Sequence, residues 1–99
     1  MSEDQSQDLY QSIFEDLIIE MGQAGYFFLG EMDDPQSGDR LIDLESAKSI
    51  VDQLEMLVEK TNGNLTGTEA ELLNGTLTNL RDRLADKIDD QENSRDKSS

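Results

Sequence analysis

The chain has 99 residues, 23 of them acidic and 8 basic, with no cysteine and no histidine; that length allows one domain, and that composition excludes disulfides, zinc sites built from Cys and His, and nucleophile–His pairs. A formal charge of −15 repels phosphate backbones and anionic lipid head groups, which argues against direct nucleic-acid or membrane binding, and it attracts basic proteins or cations. Hydrophobic residues make up only 34%, so any monomer core is small and self-association would help it.

Residues 1–7 read as a disordered acidic tail. A secretory signal needs basic and then apolar residues there, so the expected location is cytoplasmic. A first helix is expected over about 8–29. Its apolar positions are Leu9, Tyr10, Ile13, Phe14, Leu17, Ile18 and Met21, a three-four repeat. Glu15, Asp16 and Glu20 interrupt the greasiest run and exclude an ordinary membrane span. Gly22, Ala24 and Gly25 then replace large side chains; they mark a kink, a helix end, or a face where another helix comes close. Tyr26, Phe27, Phe28 and Leu29 follow. An unbroken aromatic run cannot point one way on a helix. These four residues are therefore the candidate interface with a second subunit, set against the plainer reading that they fill the space between three helices.

Gly30 to Asp43 reads as a loop, with Pro35 followed by Gln36-Ser37-Gly38 as its turn. Leu41 and Ile42 either pack under the loop or form a short extended piece. With Asp33 as the first ligand of a calcium loop, Gly38 falls correctly at the sixth position. Pro35 and Leu44 then occupy two essential ligand positions, so a polar turn is the better reading.

Helix two begins after the N-cap Asp43 and runs over about 44–61. Its face is Leu44, Ala47, Ile50, Val51, Leu54, Leu57 and Val58, at unbroken offsets of three, four and seven. The run Lys60-Thr61-Asn62-Gly63-Asn64-Leu65-Thr66 stops it and starts another helix. Gly63 suits the left-handed helix end, and Lys60 meets the negative end of the helix dipole. Thr66-Gly67-Thr68-Glu69 has the spacing of a capping box. Capping accounts for Lys60, Gly63, Asn64 and Thr66 without a functional role, though a functional loop there stays open. Helix three is expected over about 67–89, with the stripe Ala70, Leu73, Leu77, Leu80, Leu84 and Ile88 and a weak point at Gly75. Residues 90–99 read as a disordered polar tail. A short connection makes helices two and three antiparallel. The fold class is all-α: a helical hairpin plus an N-terminal helix, as a three-helix bundle or an intertwined dimer.

The acids Glu15/Asp16 with Glu20, Glu55/Glu59 and Asp82/Asp86/Asp90 read as solvated faces. A carboxylate-bridged metal pair would add histidines that this chain lacks. Arg81 and Arg83 are candidate structural clamps, expected to pair with acids of helix two. The acceptor patterns at Asn64 and Asn74 read as chance matches.

The run Asp43-Leu44-Glu45, Ala47-Lys48, Asp52, Leu54-Glu55-Met56-Leu57, Glu59-Lys60-Thr61 and Gly63-Asn64-Leu65 continues through Glu69, Leu72-Leu73, Leu77, Leu80-Arg81 and Arg83. With Phe28-Leu29-Gly30 and the Pro35/Gly38 loop upstream, it resembles a bacterial domain-of-unknown-function family, number 1844. It departs from that pattern at Glu31-Met32 and again after Arg83. The resemblance implies a small cytoplasmic helical protein and carries no activity, substrate, cofactor or catalytic residue. The expected function is a protein–protein interaction module that forms a homo-oligomer, most simply a dimer. The alternative is an acidic regulator docking on a basic, nucleic-acid-binding protein, because residues 1–45 hold 12 acids and one base. An enzyme or a cation-dependent protein ranks below both.

Overall fold

A computed structural model describes residues 3–98. The elements in chain order are helix α1 (Glu3–Phe28), strand β1 (Leu29–Asp33), strand β2 (Arg40–Ile42), helix α2 (Leu44–Lys60) and helix α3 (Gly67–Ser98). Within the one chain α1 packs against both α2 and α3, giving a three-helix bundle. The expected tails differ from the structure at both ends. Residues 3–7 belong to α1 and residues 90–98 to α3, while Met1, Ser2 and Ser99 lie outside the described residues. No proline or glycine follows Gly75, so nothing in the local sequence stops α3.

The expected boundary of α1 is corrected at its C-terminal end. Leu29 leaves the helix and opens β1, because Gly30 takes φ +77°, a conformation only glycine holds without strain. The loop of the sequence reading is thus a β-hairpin, with Leu29 opposite Ile42 and Asp33 opposite Arg40. Its tip is the expected polar turn. The Asp34 carboxylate accepts from the Gln36 N–H at 2.8 Å, and Gly38 N–H donates to Asp34 O at 2.8 Å. Asp43 N–H donates to Phe28 O at 2.7 Å, which ties the start of α2 to the end of α1.

The two helix starts behave as their residues dictate. The Asp43 carboxylate accepts from Ser46 N–H at 3.1 Å and from its hydroxyl at 2.8 Å. In the capping box, Thr66 N–H donates to Glu69 Oε1 at 2.8 Å and Glu69 N–H donates to Thr66 Oγ1 at 3.2 Å. Between them Gly63 takes φ +85° and reverses the chain.

The core is Ile18, Leu29, Ala47, Val51, Leu54, Leu73, Leu77, Leu80 and Leu84. The stripes of α2 and α3 supply seven of these nine residues, whereas α1 gives only Ile18. Gly22 and Gly25 let α1 approach α3 closely. A Cβ on Gly25 would lie 2.8 Å from both δ-carbons of Leu80, and one on Gly22 would lie 3.1 Å from Thr76 Cγ2. Of the three open readings of these glycines, close approach is the one the structure adopts. The paired positions increase together along both helices, so α1 runs parallel to α3 and antiparallel to α2.

Candidate functional site

The aromatic end of α1 is mostly engaged within the monomer. Leu29 is fully buried in the core, which corrects its place in the candidate interface. Tyr26 and Phe28 pack against the core cluster, and the Phe27 and Phe28 rings meet edge to face at 5.6 Å. The Arg83 guanidinium lies 5.5 Å from the centre of the Tyr26 ring. Tyr26, Phe27 and Phe28 are half-buried.

The two candidate clamp arginines pair with different elements. Arg81 Nη2 donates to Glu55 Oε1 of α2 at 2.6 Å, as the sequence suggests. Arg83 reaches a different element: Nη1 donates to Glu31 Oε1 of β1 at 2.7 Å. This corrects the expectation that both pair with helix two. Glu31 is carried to Arg83 by the hairpin. The hydrogen bond and charge of Glu31 raise the Arg83 pKa further above its already high ordinary value. The Asp43 carboxyl is held below its usual range by the Ser46 hydroxyl and N–H.

At the α2–α3 turn, Lys60 is exposed in the last turn of α2, and Thr61 caps it through N–H and Oγ1 bonds to Leu57 O at 2.9 and 2.6 Å. Asn64 N–H closes the turn on Thr61 O at 2.9 Å. An open groove of about 550 Å³ between α2 and α3 is lined by Asp52, Glu55, Met56, Glu59, Leu77 and Arg81 among others. Its charged groups are solvated, and Arg81 spans it. Among the described residues no three His, Cys, Asp or Glu side chains are grouped to hold a metal ion. Among the same residues no helix is long and apolar enough to cross a membrane.

The feature that the sequence reading missed lies on the outer side of α1. Leu9, Tyr10, Ile13 and Leu17 are 46, 67, 54 and 44% exposed. Leu9, Ile13 and Leu17 follow one another by four residues and form a row along the helix. Their neighbour Ile18 faces the other way and is fully buried. The signal was present as the width of the apolar arc, which exceeds what one packed face of a helix needs. Asp16 and Glu20 flank the row three residues beyond Ile13 and Leu17, and both are exposed.

No curated protein and no solved structure matches the chain. Residues 11–86 match the family described as Domain of unknown function (DUF1844). That match spans α1 from Gln11, the hairpin, α2 and α3 to Asp86, so it contains the glycine contact, both clamps and most of the exposed row. The chain belongs to the DUF1844 family.

Proposed function

We propose that this chain is a non-catalytic protein–protein interaction module that works through the outer face of α1. The exposed row of Leu9, Ile13 and Leu17 carries the reading. Single exposed apolar side chains are ordinary on a protein surface, whereas a contiguous row on one helix marks a contact surface. Covering the exposed half of Leu9, Ile13 and Leu17 would contribute about 1 kcal/mol each. The absence of His and Cys from the sequence supports a role without covalent or acid–base chemistry at neutral pH. Homodimer formation is one way of using this face; a foreign partner is the other.

The test compares the whole chain with its Ile13→Asp and Met56→Asp variants. Both sites are exposed, the second in the α2–α3 groove. Circular dichroism should show the same helical content in all three proteins. The proposal expects that Ile13→Asp removes the protein's stoichiometric partner, whether self or foreign, and that Met56→Asp does not. Loss with Met56→Asp and retention with Ile13→Asp would contradict it.

A further inference from the structure

We infer that the occupant of the outer face of α1 is a basic amphipathic helix of a different protein. This inference rests on the reading of that face as an interaction surface and adds the chemistry of its partner. The row Leu9, Ile13, Leu17 has the four-residue pitch that packs against another helix, ridge into groove. Asp16 and Glu20 rim the row, and among the described residues neither forms an ion pair. Among the described residues four carboxylates have cations, Glu55 with Arg81, Glu31 with Arg83, Asp33 with Arg40 and Asp52 with Lys48, and all four lie outside α1.

The whole of α1 contains six acids and no base. A second copy laid against this face would bring like charge against like, with no cation on either helix to offset it. An anionic lipid surface meets the same repulsion, and helices that lie on membranes carry Lys and Arg beside their apolar face. A helix with an apolar row bordered by Lys or Arg satisfies both halves of the site. Its apolar side chains cover Leu9, Ile13 and Leu17. Its cations reach Asp16 and Glu20, and the surrounding negative field speeds its approach.

Three synthetic peptides of about 18 residues, five helical turns, test this against the full chain by titration calorimetry. One has a leucine row bordered by lysines. The second carries glutamates in place of the lysines. The third is a scramble of the first with no amphipathic face. The lysine peptide should bind at least about tenfold more tightly than either other peptide, and more weakly as salt rises. The double variant Asp16→Lys, Glu20→Lys should reverse the preference between the first two peptides. Ile13→Ser should weaken the lysine peptide by about tenfold with the circular dichroism spectrum unchanged. Equal binding of the lysine and glutamate peptides overturns the inference, as does a preference unmoved by the double variant. If Ile13→Ser still weakens binding in those cases, the interaction-surface reading survives them. Tight binding of the scramble also overturns the inference. A dimer lost with Ile13→Ser and not displaced by the lysine peptide assigns the face to a second copy and overturns the inference alone. A monomer that binds none of the three peptides overturns both readings.

Discussion

Replacing Gly25 by alanine sets two effects against each other. Alanine favours a helix interior over glycine by about 1 kcal/mol. The added Cβ would lie 2.8 Å from both Leu80 δ-carbons, and Leu80 is only 1% exposed, so its side chain must shift within the core. Overpacking of that kind costs about 1–3 kcal/mol. The net change therefore runs from near zero to about 2 kcal/mol destabilising. Gly75 is the internal control. It sits inside α3, and a Cβ added there would meet no atom within 4 Å, so Gly75→Ala should gain about 1 kcal/mol with nothing opposing it. Subtracting the two variants cancels helix propensity and leaves the packing cost, about 1–3 kcal/mol. In a domain of this size each kcal/mol moves Tm by about 4–8 °C. Urea melts followed by far-ultraviolet circular dichroism measure it, and the slope with denaturant should stay constant. If Gly25→Ala is as stabilising as Gly75→Ala, α1 does not approach α3 at this point and the packing argument fails.

Thr66→Ala removes one half of the capping box and should cost about 1 kcal/mol, read by the same melts. Arg81→Ala should cost less than about 1 kcal/mol, because both partners of its pair are roughly half exposed; a larger loss in a chemical melt would mean that the clamp matters beyond its charge. Asp43→Ala should destabilise at neutral pH. The folded-state pKa of Asp43 is lowered, so its contribution is complete above the unfolded value of about 3.9 and fades as pH falls through the lowered one. The gap between wild type and Asp43→Ala should narrow as pH drops from 5 toward 2, and a gap that widens on acidification would reverse the sign.

Much of the helical hairpin was legible because its residues act locally. Asp43, Gly63, Thr66 and Glu69 each impose a backbone geometry on their neighbours, and the leucine stripes of α2 and α3 have one solution. The Arg81–Glu55 pair followed from placing two helices side by side. The β-hairpin was not legible. Strands of five and three residues show too little alternation, and the aromatic run before them continues a helical pattern. Only the positive φ of Gly30 reveals where the helix ends, and a glycine there fits a loop equally well. The Arg83–Glu31 pair depended on that hairpin and was hidden with it. The polar extension of α3 beyond Ile88 lacks the apolar spacing on which a sequence reading rests. The outer face of α1 posed a different problem. Seven apolar positions in a three-four repeat announce a helix but not which half of the arc is covered. Gly22 and Gly25 decide it, by drawing the Ile18 side onto α3 and leaving Leu9, Ile13 and Leu17 outside.

The surface claim is tested most directly by following backbone amide resonances of the isotopically labelled chain as the lysine-bordered leucine peptide is added. The shifts should concentrate between Leu9 and Glu20 and leave Asp52, Glu55, Met56 and Arg81 of the α2–α3 groove unmoved. Shifts centred on that groove, with α1 unchanged, would contradict the assignment of the outer α1 face as the working surface.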